Sequence, residues 1–313
     1  MSEAVIHQSL IDLPLQSLIN TRYDVQKLRS INHQGGRDFP GQRLSQRRGQ
    51  GIEFLDLRQY VNGDDVRHID WNVTARTNEP YTRLYKQEKE QTTVVIVDLR
   101  AIMFNGSECL RAVAAGKLAA ATLWQAAHDG DRCASIVIDS QAINATRPLR
   151  GNNGVLPALH SIAQGFKQTA ERIKSGNLYA QDNSSLSDAL DIAINNKRNS
   201  GRYLLFSGLD TKYDDRYEDL LPAAAVKNLS AIQVLDKLEL QALPHGTYQY
   251  RYENKSQQVQ INSSSRTALK DALQDDINKK HSKLNDVGIN VLQVDAHVAT
   301  GEFLTILQRH GWI

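Results

Sequence analysis

Arginine and carboxylate side chains alternate along one stretch of the chain, between residues 47 and 83. Neighbouring carboxylates such as Asp64 and Asp65 can hold Mg²⁺ and support metal-assisted hydrolysis. Arg58 and Arg67 lie beside them in the sequence, which predicts neutralised, structural acids instead. The candidate residues of this stretch, which we call the motif segment, are Arg58, Tyr60, Asp64, Asp65, Arg67, Asp70, Trp71 and Arg76.

Two interpretations of the motif segment remain open. In the first, its ion pairs form a partly buried network, with Tyr60 and Trp71 as apolar anchors. Acids and bases then occur together because a buried charge that loses its partner is left uncompensated. In the second, it is a docking surface, since Trp, Tyr and Arg dominate the energetics of protein interfaces. The structural role is favoured, and both hold if only the outer rim of the network is exposed.

A separate basic group precedes this network. Arg43, Arg47 and Arg48 have no acidic neighbours in the sequence and predict either a solvated loop or an electropositive lip for an acidic partner or phosphates. The formal net charge of the chain is +2, so no global basic field favours nucleic-acid binding.

The elements that would position these residues alternate between strand and helix. The apolar run Thr92 to Asp98 is typical of a buried parallel strand. A helix capped by Ser107 and ending near His128 follows, then a hairpin of Arg132 to Ile138 with Ala142 to Arg147. Ser185 and Asp188 have the spacing of a capping box. We therefore expect an α/β fold, with a mostly parallel sheet and helices on both faces.

The predicted organisation is an N-terminal extension packed on the sheet domain. The extension spans residues 1–91 and carries the motif segment, whereas the sheet domain spans residues 92–313, with a polar β excursion at about 245–262.

Composition excludes several classes of protein. Cys109 and Cys133 are the only cysteines, which predicts no disulfide framework and a reducing cytoplasm. The first residues lack the features of a signal peptide, and no apolar run approaches the roughly 20 residues of a membrane helix. We expect a cytoplasmic protein without a membrane span. No phosphate-loop, zinc-protease or nucleophile-elbow motif occurs, and the histidines show no ligand spacing.

The motif segment also resembles a bacterial family known as "domain of unknown function 58". A second signature is similar in Val234 to Pro244, where Asp and Glu stand three residues apart before Leu-Pro. The residues of the motif segment that fit the family are Gly49, Gly51, Glu53, Phe54, Leu57, Arg58, Tyr60, Gly63, Asp64, Asp65, Arg67, Ile69, Asp70, Trp71, Thr74, Ala75, Arg76, Thr77, Glu79, Pro80 and Tyr81.

This resemblance implies a von Willebrand factor A-like domain and association with MoxR-type AAA+ ATPases. It also implies a metal-ion-dependent adhesion site, with Asp-x-Ser-x-Ser after the first strand, a Thr before a later helix and an Asp after the fourth strand. The chain keeps Asp98 but has Arg100 and Ile102 in place of the serines, and Gly208 in place of the Asp. Ser184 or Ser185 could stand in for the Thr, and Asp210 lies two positions too far along.

One carboxylate and one hydroxyl make a poor Mg²⁺ site, because octahedral Mg²⁺ tolerates little ligand loss. We expect a degenerate site without a cofactor. Arg100 could occupy the place of the ion and pair with Asp98, or it could point into water like most arginines.

The sequence thus predicts a non-catalytic interaction or adaptor protein. It would work with a MoxR-type AAA+ ATPase in assembling or remodelling a protein complex. The alternatives are a metal-dependent hydrolase, or metal-dependent protein binding through a surviving Mg²⁺ site. Nucleic-acid binding through Arg43 to Arg48 is a weaker alternative.

Overall fold

The computed structural model describes residues 11–34, 53–86, 91–176, 183–196, 201–211, 214–241, 243–252 and 255–312. The helices in these ranges are α1 Leu15–Gln34, α2 Trp71–Thr77, α3 Arg111–His128, α4 Asn152–Lys174, α5 Leu186–Asn195, α6 Tyr217–Val226, α7 Lys237–Gln241, α8 Ser263–Asp286 and α9 Thr300–Arg309. The strands are β1 Glu53–Gln59, β2 Tyr81–Lys86, β3 Thr92–Asp98, β4 Arg132–Ile138, β5 Ile143–Ala145, β6 Leu149–Arg150, β7 Gly201–Ser207, β8 Leu229–Leu235, β9 Gly246–Tyr252, β10 Lys255–Ile261 and β11 Asn290–Asp295.

The central sheet has seven strands in the order β11-β8-β7-β3-β4-β5, and β6 also pairs with β4. The strands from β11 to β4 are parallel, and β5 and β6 run antiparallel to β4 at the edge. The predicted α/β class, with a mostly parallel sheet, is confirmed, and the fold is consistent with a von Willebrand factor A-like domain.

Both faces of the sheet are covered because successive residues of a buried strand point to opposite sides. Val95 and Val97 of β3 join the core formed with α1, α3, α4 and α9. Val94 and Ile96 join the second core, with α5, α6 and the C-terminal part of α8. This double burial explains the continuous apolar run in β3.

Contacts between α-carbons divide the chain into two units, Met1–Arg37 with Gln91–Ile313, and Asp38–Glu90. The predicted division at residue 91 assigned α1 to the extension, whereas α1 packs in the sheet unit. Leu18 and Val25 of α1 are buried in the first core, and its Leu18 carbonyl accepts a hydrogen bond of 3.2 Å from the Trp124 indole. The smaller unit contains α2 and the antiparallel pair β1 and β2.

One helix start differs from the prediction. Ser107 does not cap α3, which begins at Arg111. The backbone N–H and hydroxyl of Ser107 instead donate to Asp236 Oδ1, at 2.8 and 3.0 Å. The Ser185–Asp188 capping box at the start of α5 is present as predicted.

Candidate functional site

The carboxyl edge of the sheet brings together residues that follow β3, β7 and β8, because parallel strands end on the same side. Asp98 ends β3 and is fully buried. Arg100 donates to it from Nε and Nη2, each at 2.9 Å, and from its backbone N–H at 3.2 Å. Ser207, at the end of β7, donates its hydroxyl to the same carboxylate at 2.7 Å. Of the two alternatives for Arg100, the structure shows the pairing with Asp98.

The electrostatics of this pair follow from its burial. Burial by itself would raise the pKa of Asp98, but the charge and hydrogen bonds of Arg100, helped by Ser207, hold that pKa below its usual value. Asp98 is therefore a carboxylate whose charge is balanced inside the protein. Arg100 also donates from Nη2 to the carbonyl of Asp210 at 3.2 Å, which ties the loop after β3 to the loop after β7.

A second arginine lies at this edge, and sequence reasoning missed it. Arg111, the first residue of α3, is 1% exposed. Its guanidinium donates to Asn105 Oδ1 at 2.6 Å, to the Ile102 carbonyl at 2.7 Å and to Asp210 Oδ2 at 3.3 Å. A cation at a helix N-terminus opposes the helix dipole. An arginine at that position, followed by an apolar helix, is the feature of the sequence that indicates a buried guanidinium paired with internal acceptors.

The second family signature supplies a further partner of this arginine. Glu239 accepts from Arg111 Nη1 at 3.1 Å through Oε1, and from the Asp236 backbone N–H at 2.7 Å through Oε2. Asp236 in turn accepts from the Leu238 N–H at 2.9 Å, which completes a reciprocal cap on α7. Burial raises the pKa of Glu239, although the charge of Arg111 acts in the opposite direction. The Asp and Glu of the signature thus cap a short helix and hold a buried guanidinium.

Helix α8 adds further polar groups to the edge. Lys280 donates to Asp210 Oδ1 at 3.1 Å and pairs with Asp276 at 2.8 Å, and these carboxylates raise its pKa despite its burial. His281 Nε2 lies 2.7 Å from Oε1 of the buried Gln233, and burial lowers the pKa of this imidazole. Asp210, which lies two positions beyond the expected metal-binding Asp, forms ion pairs with Arg111 and Lys280.

The two serines weighed as hydroxyl ligands make other contacts. Ser184 donates its hydroxyl to the Asp139 carbonyl, after β4. Ser185 caps α5, where its hydroxyl donates to Asp188 Oδ2 at 2.8 Å. Both hydroxyls therefore stabilise local structure at the end of β4 and the start of α5.

The residues at this edge do not fit the divalent cation that the resemblance implies. All four acceptor directions of a carboxylate are taken at Asp98, by Arg100 and Ser207. Gly208 stands where a metal-binding Asp would be expected, and a Cβ there would lie 2.6 Å from Arg111 Nη1. A hard cation needs free oxygen ligands, and here two guanidinium groups use them.

The smaller unit holds the motif segment on a frame of ion pairs. Arg58 Nη2 of β1 contacts both carboxylate oxygens of Asp64, at 2.7 and 2.6 Å. Arg67 pairs with Asp65 through Nε and Nη2, with a closest contact of 2.9 Å. The neighbouring acids of the Gly-Asp-Asp sequence are thus each paired with an arginine.

Asp70 joins the frame to α2. It caps α2 by accepting from the N–H groups of Asn72 and Val73, at 3.0 and 3.2 Å, and it pairs with Arg83 Nε at 2.8 Å. The hydrogen bond from Arg83, together with these backbone donors, lowers the pKa of Asp70. Because Arg83 lies on β2, one carboxylate fixes α2 against the strand pair.

The outer side of the motif segment is exposed. Trp71 is 67% exposed, so its prediction as an apolar anchor is wrong, whereas Tyr60 is half-buried. Val66 is exposed nearby in the sequence, and Arg76 on α2 forms no ion pair with any described residue. Trp71 is the first residue of α2, where its neighbours Asn72 and Val73 bond to the Asp70 cap. The indole is therefore left outside the frame.

Part of the predicted site lies outside the described residues. This applies to Gly49 and Gly51, and to the basic group Arg43, Arg47 and Arg48. Among the helices that are described, none is both long enough and apolar enough to cross a membrane.

Comparison with known proteins identifies relatives of the chain. A family model described as "Protein of unknown function DUF58" matches residues 56–283. "Uncharacterized protein Rv1480" of Mycobacterium tuberculosis and "Uncharacterized protein Mb1516" of Mycobacterium bovis are each 34% identical over 119 residues, which is 37% of this chain and 37% of each relative. The crystal structure of "an aerotolerance-related membrane protein from Bacteroides fragilis NCTC 9343 with multiple mutations to serines" aligns with a TM-score of 0.41 and 11% identity, over 71% of this chain and 98% of that chain.

Proposed function

The chain belongs to the family described as protein of unknown function DUF58, and we propose that it is a non-catalytic protein-binding module. The exposed Trp71 is the observation that carries this proposal. Trp71 is the first residue of a helix capped by Asp70, and its indole is exposed to solvent, so it does not contribute to the core of its own unit. Trp and Arg are the residues that contribute most to protein interfaces.

The surroundings of Trp71 suit a contact surface. The ion pairs Arg58–Asp64 and Asp70–Arg83 fix the segment from within, so binding would order few further side chains. Val66 adds apolar area, and Arg67 keeps 81% of its side chain exposed while it pairs with Asp65. We call the group Val66, Arg67, Trp71 and Arg76 the tryptophan surface.

The proposed partner is a MoxR-type AAA+ ATPase, with which the chain would assemble or remodel a protein complex. This part rests on the family resemblance and on the von Willebrand factor A-like arrangement. In this proposal the metal-ion-dependent adhesion site is degenerate, and the protein acts in the cytoplasm, in keeping with its free cysteines Cys109 and Cys133.

A hydrolase centred on Asp64 and Asp65 has less support. Metal-assisted hydrolysis needs carboxylates that are available to the ion. Both side chains are instead paired with arginines, and Asp64 also accepts from the Val61 N–H at 3.1 Å. These contacts give the two acids a structural role.

Binding to a purified MoxR-type AAA+ ATPase tests the proposal. We expect the immobilised protein to capture the purified ATPase, and Trp71→Ala to weaken capture about tenfold or more, as for a central interface aromatic. Tyr23→Ala is the matched control, because Tyr23 is an aromatic residue of the other unit that is also 67% exposed. Equal capture by the two variants would contradict the role of Trp71 in binding. Failure of the unmodified protein to capture the ATPase would contradict the proposed identity of the partner.

A further inference from the structure

We infer that Arg100 and Arg111 together take the electrostatic place of a divalent cation at the carboxyl edge of the sheet, so that this edge is complete without metal. The inference concerns the sheet unit and does not depend on the tryptophan surface.

The first step is the saturation of Asp98. Its Oδ1 accepts from the Nε and backbone N–H of Arg100, and its Oδ2 accepts from Arg100 Nη2 and the Ser207 hydroxyl. A cation would have to displace an internal, two-point charged contact, and this kind of contact is among the strongest hydrogen bonds in proteins. The carboxylate already has the positive partner that an ion would supply.

The second step is the position of Arg111. Its guanidinium reaches Ile102 and Asn105 of the loop after β3, Asp210 after β7 and Glu239 in α7. One buried cation thus binds oxygen atoms from three separate segments of the chain, as a metal ion does when it gathers its ligands. Arginine suits this role because its guanidinium presents a rigid fork of donors and stays charged at every physiological pH.

The third step concerns position 208. A Cβ there would lie 2.6 Å from Arg111 Nη1 and 2.8 Å from Asp210 Oδ2. Arg111 cannot move aside without losing the contacts that Glu239, Asn105 and Ile102 provide. The presence of Arg111 and the glycine at 208 are therefore linked, and the Asp and Glu of the second signature keep Arg111 in place.

A metal titration of the unmodified protein tests the inference directly. Calorimetry with Mg²⁺ and with Mn²⁺ should show no saturable binding at concentrations up to a few millimolar, and EDTA should leave the Tm unchanged. Saturable binding of one ion per chain that Asp98→Asn abolishes would overturn the inference.

A double-mutant cycle tests the internal pair itself. Asp98→Asn and Arg100→Met should each lower the Tm, because each single change leaves a buried group without its partner. The Tm loss of the double variant should be smaller than the sum of the two single losses, by about 5 °C or more. Additive effects would overturn the inference.

The chain supplies a matched control for this cycle. Asp65 and Arg67 form a pair with the same two-residue spacing, but the Arg67 side chain is 81% exposed. Asp65→Asn and Arg67→Met should be close to additive, because exposed pairs contribute little. If the buried variants do not fold, the metal titration still decides the matter on the unmodified protein.

Discussion

The guanidinium of Arg111 fills the space beside the α-carbon of Gly208, so a Cβ at position 208 would lie 2.6 Å from Arg111 Nη1. Gly208 is not among the glycines with positive φ, so backbone conformation does not require a glycine there. The requirement is steric, and it comes from a side chain that starts on α3, almost a hundred residues earlier in the sequence.

Gly208→Ala should therefore destabilise the sheet unit by about 1–3 kcal/mol, as overpacking of a filled site does. The free energy of unfolding from urea denaturation measures this. Gly301→Ala is the control, because Gly301 lies in α9 with open space around it and should gain helix propensity. A neutral effect at 208 would show that Arg111 moves aside at no cost.

Acid should weaken the fold through Asp98. Its pKa in the folded protein is held below the usual 3.8, so its stabilising contribution is complete above about pH 5 and is lost as the pH falls through the folded pKa. The free energy of unfolding should fall below about pH 5 in the unmodified protein and fall less steeply in Asp98→Asn. Asp65→Asn, at the exposed pair, should keep most of the pH dependence of the free energy of unfolding.

The chain has three tryptophans, and their fluorescence should separate the exposed indole of Trp71 from the buried indole of Trp124, with the half-buried Trp312 common to every variant. Trp71 is 67% exposed and Trp124 only 7%. Iodide should therefore quench a large part of the emission of the native protein, and Trp71→Phe should remove the larger share of that accessible part and leave the share of Trp312. Trp124→Phe should leave the accessible part almost unchanged, and the opposite pattern would contradict the placement of Trp71.

Both thiols should be unreactive in the native protein. Cys109 and Cys133 are buried and free, and burial raises the pKa of Cys133 to about 12. A thiol reacts as its thiolate, so Ellman's reagent at pH 8 should label neither cysteine until denaturant is added. In Cys133→Ser only Cys109 can react, and in Cys109→Ser only Cys133 can react. Rapid labelling of either variant without denaturant would contradict the burial of the remaining thiol.

Much of the sheet could be predicted because its residues follow local rules. Strands β3 and β4 have the predicted bounds, Thr92–Asp98 and Arg132–Ile138, since strands buried on both faces are largely apolar. The capping box at Ser185 was visible because Ser and Asp three residues apart satisfy each other locally. The pairing of Arg100 with Asp98 was one of two open alternatives, since the two residues are only two positions apart in the sequence.

Contacts between distant segments could not be predicted in this way. Ser107 has the chemistry of a cap for α3, but it bonds to Asp236, which lies far along the chain. Trp71 was predicted as an anchor from its type alone, whereas its orientation depends on how Asp70 caps α2. Nothing local in the sequence shows that Arg111 meets Asp210 and Glu239.

The reciprocal cap of Asp236 and Glu239 has a consequence for engineering. Glu239 serves the cap with one oxygen and Arg111 with the other, and Asp236 also holds Ser107. The loops after β3, β7 and β8 are therefore not interchangeable parts. A chimera that imports one of them from a relative should fold only when the other two are grafted with it.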